Sequence, residues 1–249
     1  MVRFHVPAAS ARALAALARR ESCTLFMVGL AAFATVLRHR SGQDDLAIGT
    51  DLAGRTHPAA ERLIGFFVNT LALRIDLSGC DSFRDALRAV RERALDGFFH
   101  QDVPFDTLVR ALNPPREPGR MPLFQVKFVL QNTPFVTLSS RHLRVEPLDI
   151  DTGTAKYDLL ATLAERPDGL AGTLEYSTDL FDAATAEGIA ADLQAVLDLV
   201  AQNAAVGVAD IARLLDAGHA QRAELGRQSL RRAGLERLRR LASAQGGTR

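Results

Sequence analysis

The sequence predicts an α/β protein: a single sandwich lobe whose mixed β-sheet is flanked by helices, followed by a basic helical tail. Three observations support this prediction. Apolar and polar residues alternate at period two in short segments, apolar residues recur at helical spacing in longer ones, and the turn sequence of residues 165–169 joins two late strands as a hairpin. Helices mixed with strands, and antiparallel pairing late in the chain, favour a mixed sheet.

The charge balance argues against two classes of partner. The 249 residues contain 30 Lys and Arg against 29 Asp and Glu, a formal net charge of +1, and 47% of them are hydrophobic. These values are ordinary for a globular protein with a well-buried core, and they give no electrostatic case for binding nucleic acid or an anionic membrane. We therefore expect neither partner.

Cysteine usage and hydropathy indicate a reducing compartment. Cys23 and Cys80 are too few for a disulfide framework or a cysteine-rich zinc site. The first residues lack the apolar core of a signal peptide, and no segment reaches the roughly 18 uninterrupted apolar residues of a spanning helix. We expect a cytoplasmic protein.

The first fifty residues predict a strand, two helices and a second strand. Residues 2–6 alternate in polarity, and the proline that follows suits the first turn of a helix through residues 11–20. Thr24 is the expected N-cap of the next helix, which runs to about residue 40 and is apolar nearly all round, so it should be buried. Residues 46–50 form a short strand.

Residues 64–74, IGFFVNTLALR, are the stretch around which the rest of the chain is organised. Leu71, Leu73 and Ile75 alternate with small or polar residues, which predicts a half-buried strand. Asn69 places an amide inside a bulky apolar run, and a buried amide needs hydrogen-bond partners. The residues leave two interpretations open: a polar network at the start of the strand, or a functional site.

Two helices should follow. Ser82 or Asp81 caps the first, which reaches about residue 98 with a buried stripe formed by Phe83, Leu87, Val90 and Leu95. Pro104 starts the second, which carries Leu108 and Leu112, and the loop NPPREPG follows it.

The second half of the chain supplies the central strand and the hairpin. Residues 122–132 alternate so that Phe124, Val126, Phe128 and Leu130 share one apolar face. Residues 143–148 predict a further strand, and the hairpin of residues 157–176 precedes a long amphipathic helix from residue 183 to about residue 202.

The character of the chain changes after residue 208. Residues 219–249 contain eight arginines against two glutamates, with leucines among them, so we expect a basic amphipathic helix that ends at Gly246. It is either a solvated linker helix or a docking segment for an acidic partner. We divide the chain into a lobe of residues 1–208 and a helical tail of residues 209–249.

No catalytic constellation emerges from spacing. The six histidines form no HExxH or metal-ligand pair, and the glycine patterns of nucleotide-binding loops and hydrolase elbows are absent, so we expect no metal centre. His100 stands at a predicted helix break beside Asp102. Such a histidine is either a base oriented by a carboxylate or a cap stabilised by the helix dipole.

Five strings resemble, in order and spacing, the C-terminal lobe of a nonribosomal peptide synthetase condensation domain. This family has the chloramphenicol-acetyltransferase-like fold of the CoA-dependent acyltransferase superfamily. The strings are IGFFVNTLALR at 64–74, HQDVPFDTLV at 100–109, RMPLFQVKF at 120–128, KYDLLATL at 156–163 and LEYSTDLFD at 174–182. The resemblance covers about residues 2–202.

The resemblance implies an activity for a two-lobed domain. Carrier proteins present aminoacyl or peptidyl groups on phosphopantetheine arms to a tunnel between the lobes, and the acceptor amine attacks the donor thioester. It implies that no cofactor binds the lobe directly, and that the partners are carrier domains, an N-terminal lobe and other synthetase subunits. Catalysis would rest on proximity.

The resemblance also assigns candidate site residues. They are Asn69, Arg74, Arg120, Gln125, Tyr157 and Asp158. Asn69 is expected near the tunnel or its floor, and Arg74 either there or in a structural ion pair. Tyr157 stands where the family's KFDL-like string has phenylalanine. Residues 133–153 match the latch that reaches the other lobe, and we expect this segment to be mobile or self-associating in isolation.

The family's histidine motif, His-His-x-x-x-Asp-Gly, has no counterpart here because no two histidines are adjacent. We therefore expect no catalytic residue within these residues, an inactive lobe when alone, and an N-terminal lobe that is supplied by a partner or lost by truncation. The alternative is a non-catalytic module that docks carrier proteins or synthetase subunits. An acetyltransferase using free coenzyme A needs the same motif and ranks last.

Overall fold

The computed structural model describes residues 1–55, 57–131, 138–139, 143–145 and 153–245, with backbone alone for residues 138–139, 144–145 and 229–245. Contacts divide the chain into two compact units, residues 1–208 and 209–249. The histidine at position 142, most of the predicted latch and the end of the tail at Gly246 lie outside the described residues.

The described residues form the following elements. The helices are α1 (Ala8–Arg20), α2 (Leu25–Ser41), α3 (Phe83–Phe99), α4 (Phe105–Leu112), α5 (Ala183–Gln202) and α6 (Val208–Gln245), with a single 3₁₀ turn at Pro58–Ala60. The strands are β1 (Val2–Pro7), β2 (Asp45–Leu52), β3 (Asn69–Asp76), β4 (Val126–Gln131), β5 (Leu138–Ser139), β6 (Arg144–Val145), β7 (Leu159–Arg166) and β8 (Gly169–Tyr176).

Six of these strands form one mixed sheet in the order β1-β8-β7-β4-β2-β3. The pairs β2–β4 and β4–β7 are parallel, whereas the pairs at both edges and the β7–β8 hairpin are antiparallel. Strands β5 and β6 pair separately. The mixed α/β sandwich predicted from the sequence is therefore confirmed.

Local sequence signals account for most element boundaries. The Thr24 hydroxyl accepts a hydrogen bond from the Met27 N–H at 3.3 Å and caps α2, as predicted. Ser82 and Asp85 form a capping box at the start of α3. The left-handed backbone at Gly42, with φ of 70°, ends α2 before the turn into β2.

One face of the sheet is covered by helices. Helix α2 is buried from Met27 to Leu37, and Phe128 of β4 packs its ring against Phe33 with centroids 5.9 Å apart. Helices α1 and α5 lie on the β1–β8 side, and α3 lies against β3. On β3, Leu71, Leu73 and Ile75 are buried, as the alternation predicted.

One leucine of the predicted buried stripe of α3 is exposed. Leu95 does not belong to the buried stripe of α3, because Ala94 follows Val90 at helical spacing and Leu95 is turned about 100° away from it. Leu112 is also exposed, since it is the last residue of the short helix α4.

The central strand is shorter than predicted, and this changes the face of one aromatic ring. Leu123 has a positive φ of 72°, so the chain turns before β4 begins at Val126. Phe128 faces α2, but the ring of Phe124 lies over Gly49 on the opposite face. The prediction that Phe124 and Phe128 share one face is therefore wrong.

No single helix among the described residues is long and apolar enough to cross a membrane. Helices α1 and α2 meet that test only as a pair, bent by 104° where they join, and by length and composition alone.

Candidate functional site

Asn69 fastens the start of β3 to the segment that precedes α4. Its Nδ2 donates to the carbonyl oxygens of Gln101 and Val103, both at 2.8 Å. Its Oδ1 accepts from the N–H groups of Phe105 at 3.2 Å and Thr70 at 3.0 Å. Since an amide offers two donors and two acceptor lone pairs, its hydrogen-bonding capacity is filled. Asn69 forms the polar network that the first of the two interpretations describes.

Three aromatic rings lie on the sheet face opposite α2. The Phe124 ring stacks on Tyr157 with centroids 5.8 Å apart and contacts Phe105 of α4 at 5.7 Å. Gly49 of β2 makes this possible, because a Cβ at that position would overlap the Phe124 ring. The segments around residues 105, 124 and 157 are thus packed together.

A buried lysine lies beside these rings. Lys127 is only 6% exposed, and its Nζ lies 2.7 Å from Asp51 Oδ2. The ammonium also donates to the Tyr157 hydroxyl at 3.0 Å and lies 4.8 Å from the centroid of that ring. The Thr70 hydroxyl donates to Asp51 Oδ1 at 2.9 Å. We call Asp51, Thr70, Lys127 and Tyr157 the ionic cluster.

Of this cluster, sequence reasoning identified only Tyr157 as a site residue. A usable signal was present: a lysine inside a strand predicted to be central must be buried, and a buried ammonium requires an anionic partner. Asp51, directly after the apolar strand LAIGT, is such a partner. The pairing itself depends on the parallel register that sets Gly49 beside Lys127, which no local pattern encodes.

A cavity of about 430 Å³ opens at the carboxyl ends of the parallel strands β2, β4 and β7. We call it the edge cavity. Its lining comprises Thr24, Leu25, Phe26, Thr50, Asp51, Leu52, Ala53, Phe98, Leu130 and Glu165. Ligands of open α/β sheets bind at this end of the strands. Asp51 belongs to both the edge cavity and the ionic cluster, and so connects them.

Gln125 and Asp158 link neighbouring motifs. The Asp158 N–H donates to the Gln125 carbonyl at 3.0 Å, and the Ser177 N–H donates to the Asp158 carbonyl at 3.1 Å. The Gln125 side chain donates to the Met121 carbonyl at 3.1 Å. These backbone bonds explain why KYDLLATL and LEYSTDLFD lie beside the central strand.

Arg74 and Arg120 are surface residues engaged by carboxylates. The Arg74 side chain is 82% exposed, and its Nη2 lies 2.7 Å from Asp45 Oδ2 on the neighbouring strand. This guanidinium lowers the pKa of Asp45 through a side-chain hydrogen bond. Arg120 pairs with Glu117 at 2.8 Å and lines a separate cavity of about 410 Å³ beside α4.

The connection between β2 and β3 is held by Arg55. Its guanidinium lies 4.5 Å from the centroid of the Phe67 ring and donates to the carbonyl oxygens of Ala60 and, at 2.9 Å, Leu63. Ile64 and Phe66 of this connection are exposed. The bulky run that precedes Asn69 is therefore a surface loop, and regular strand structure begins at Asn69 itself.

His100 caps α3. Its Nδ1 lies 2.9 Å from the Asp96 carbonyl oxygen, and its backbone N–H donates to the same carbonyl at 3.3 Å. A histidine at a helix C-terminus is stabilised by the dipole there. The capping interpretation of His100 is confirmed, and this imidazole lies on the exposed surface.

Peptide synthetases contain segments similar to most of this chain. It is 48% identical over 200 residues to a linear gramicidin synthase protein of Brevibacillus parabrevis, an alignment covering 80% of this chain and 3% of that protein. It is 51% identical over 176 residues to malpinin synthetase of Mortierella alpina, covering 71% of this chain and 2% of the relative. The chain thus spans a few per cent of the length of these relatives.

Solved structures have folds similar to that of this chain. A four-domain nonribosomal peptide synthetase bound to AMP and glycine superposes with a TM-score of 0.76 at 25% identity, over 84% of this chain and 17% of that one. The X-domain from teicoplanin biosynthesis gives a TM-score of 0.76 at 29% identity, over 84% of this chain and 48% of that chain.

The sequence model of the condensation domain matches residues 1–222. The described strands and helices have the arrangement of the lobes of such domains, and the five motifs that suggested the resemblance pack around one another in the structure. The chain belongs to the condensation-domain family.

Proposed function

We propose that this lobe forms one wall of the cleft in which an amine attacks a carrier-bound thioester, so that an amide bond forms in nonribosomal peptide biosynthesis. The observation that supports this most strongly is the convergence of the family motifs. Asn69, Phe105, Phe124, Lys127 and Tyr157 come from four separate strings and make one packed cluster next to the edge cavity.

The contribution of such a wall is to hold two tethered reactants in register. Orienting two reactants converts a bimolecular reaction into an effectively unimolecular one, which can supply about 7–11 kcal/mol of the barrier. Rigid elements serve this purpose better than loops. Here the aromatic rings, the ionic cluster and the four bonds of Asn69 fix the wall on strands and on the start of α4.

Proton transfer would come from a second lobe. No histidine of this chain stands in the family's His-His-x-x-x-Asp-Gly motif, and the Nδ1 atom of His100 contacts the Asp96 carbonyl oxygen at the end of α3. We propose that a lobe carrying this motif completes the site, whether on the same polypeptide or a separate one. The residues described above then position substrates and transfer no protons.

We propose individual roles for the six predicted site residues. Asn69 positions the wall through the turn before α4, and Tyr157 positions Lys127. Gln125 and Asp158 hold the central strand against the hairpin. Arg74 and Arg120, exposed at two other cavities, would contact partner domains instead of the reacting groups.

The substrates would arrive on phosphopantetheine arms of carrier domains, and the lobe itself would hold no cofactor. The named relatives are synthetases, which supports carrier and synthetase domains as partners. This proposal includes a cytoplasmic location, where both cysteines would stay reduced. Burial raises the pKa of Cys23 and of Cys80, which makes both thiols poor nucleophiles.

A second candidate function, docking without catalysis, is favoured by the tail. Residues 219–249 carry eight arginines against two glutamates, a composition suited to an acidic partner. Under this hypothesis the chain would bind carrier domains but support no reaction.

One experiment separates the two functions. The chain is mixed with a separately produced N-terminal lobe that carries the histidine motif and with two loaded carrier domains, and dipeptidyl product is followed by mass spectrometry. Product that requires both lobes supports the proposal. Carrier binding without product, measured on the same samples by titration, would leave only the docking function.

A further inference from the structure

We propose that the edge cavity binds an amino acid residue through its primary ammonium group and its apolar side chain, with the Asp51 carboxylate accepting the ammonium. The inference deepens the proposed function and rests on it for the source of the ligand, since a carrier-bound aminoacyl acceptor presents both groups. The cavity, its charges and its walls provide the argument.

The charges of the lining select a cation. Among the described residues that line the edge cavity, the ionisable side chains are Asp51 and Glu165, and both are acidic. Lys127 contacts Asp51 from outside the lining and offsets one of these charges, so the three groups sum to one negative charge. A carboxylate ligand would meet this charge unfavourably, whereas an ammonium would neutralise it.

The Asp51 carboxylate is held in place before any ligand arrives. Lys127 binds one oxygen at 2.7 Å and the Thr70 hydroxyl binds the other at 2.9 Å. A carboxylate has about four lone-pair sites, so two remain for a ligand. The Asp51 side chain is 33% exposed, which leaves it accessible. Its partners thus orient an acceptor that would otherwise rotate freely, which reduces the cost of binding.

The remaining wall suits an aliphatic side chain. Leu25, Phe26, Leu52, Phe98 and Leu130 supply apolar surface around about 430 Å³ of space. This volume lies within the range of about 300–1,000 Å³ typical of small-ligand sites. The rings of Phe26 and Phe98 lie 6.0 Å apart and tilted, and their faces also attract an ammonium.

The start of a helix also belongs to the lining of this cavity. Leu25 and Phe26 are the first two residues of α2, and N–H groups in a first helical turn have no intrahelical acceptor. A carbonyl oxygen is one acceptor that such donors bind, and it is the neutral one that an aminoacyl group offers. An ammonium, an aliphatic side chain and a carbonyl together describe an aminoacyl group linked through its carboxyl carbon.

Lys127 is a positioning residue in this arrangement. It is buried and contacts Asp51 and Tyr157, so its effect on a ligand passes through the orientation of the carboxylate. Lys127→Arg preserves the charge and should retain ligand binding better than Lys127→Met. If Lys127 only filled space, the two variants would bind the ligand equally well.

The test uses the whole chain and two small probes. L-leucinamide carries the ammonium, the side chain and a neutral carbonyl, whereas N-acetyl-L-leucinamide keeps the side chain and that carbonyl and carries a neutral acetamide group in place of the ammonium. Binding is followed by two-dimensional NMR titration. We expect saturable binding of leucinamide with shifts at the edge cavity, and at least about tenfold weaker binding of the acetylated probe and of leucinamide to Asp51→Asn.

A second pair of variants guards against misfolding of Asp51→Asn. Ala53 is an exposed residue of the lining, so Ala53→Lys adds an ammonium there, and Ala53→Gln is its uncharged control of similar length. We expect the lysine variant to bind leucinamide several-fold more weakly than the glutamine variant. Equal binding of both probes, equal binding by both Ala53 variants, or no saturable binding overturns the inference.

The two-lobe assay is run in parallel with Asp51→Asn. If product forms with the wild-type chain but leucinamide binding does not depend on Asp51, this inference fails and the proposed function stands. If leucinamide binds through Asp51 but no product forms, the site exists and the proposed function fails.

Discussion

The ionic cluster leads to the sharpest stability prediction, because its two charged partners are unequally buried. Lys127 is 6% exposed, whereas the Asp51 side chain is 33% exposed. Removing one partner of a fully buried pair costs about 3–5 kcal/mol, since the other charge is left uncompensated. Water reaches the cluster from the Asp51 side, so we expect Asp51→Ala to cost about 2–3 kcal/mol.

Replacing the lysine of the pair should cost less stability than replacing the aspartate. Lys127→Met fills the same space with an apolar chain, and the remaining carboxylate keeps the Thr70 hydroxyl and gains water. We expect a loss of about 1 kcal/mol. In the double variant no buried charge remains, so its loss should stay near that of Lys127→Met. The double-mutant cycle then gives a coupling of about 2–3 kcal/mol in magnitude.

Urea unfolding followed by far-ultraviolet circular dichroism measures all four proteins. At a slope of about 2.5 kcal/mol/M, Asp51→Ala lowers the midpoint by about 1 M. Arg74→Ala is the control, because its exposed ion pair with Asp45 should leave the midpoint nearly unchanged. Equal losses for Asp51→Ala and Lys127→Met, or additive losses in the double variant, would refute the account of the cluster.

Three further predictions concern the same scaffold. Asn69→Ala removes four hydrogen bonds and leaves backbone groups before α4 unpaired, so it should lower the free energy of unfolding in urea by about 2–3 kcal/mol. A loss below that of a surface alanine substitution would contradict the role of Asn69 in fastening β3 to this segment. Gly49→Ala places a methyl group against the Phe124 ring and should lower the free energy of unfolding by about 1–3 kcal/mol. Gly226→Ala is the control: its added methyl group has no neighbour within 4 Å, so it should be neutral or stabilising. Similar effects of both variants would contradict the packing of Phe124 over Gly49. A hydrogen bond from the Ser82 side chain lowers the pKa of Asp85 below its unfolded value of about 3.9. The ionised Asp85 therefore stabilises the folded chain above about pH 4, and this stabilisation is lost as the pH falls through the lowered pKa. When the free energy of unfolding is measured as the pH is lowered, Ser82→Ala should lose less stability than the wild-type chain. An equal loss in both proteins would exclude the capping box as the source of this pH dependence.

Much of the fold could be predicted because local patterns and tertiary packing agree. The Thr24 cap, the alternation of Leu71 and Leu73, and the turn before Gly169 each favour the structure that the chain adopts. The errors arose where a local pattern has no unique outcome. The positive φ at Leu123 reverses the face of Phe124, and Ala94 takes the buried position of α3 that the pattern gave to Leu95.

The candidate site could be predicted only in part. Asn69 stood out as a polar residue within an apolar string, and Tyr157 was assigned by the resemblance to the family, but the partners of both are set by long-range register. Asp51 and Lys127 lie 76 positions apart and meet because β2 and β4 pair in parallel. Neither position carries a local signal for the other. The edge cavity is likewise formed by the ends of three strands and the start of α2.

The central claim is that this lobe positions substrates and that the proton-transferring group lies elsewhere. The most direct measurement is the rate of amide formation in the two-lobe assay, with each of the six histidines of this chain replaced singly by glutamine. The account predicts rates within about twofold of wild type for every folded variant, and no product from the chain alone. Product from the chain alone that one of these replacements abolishes would contradict it.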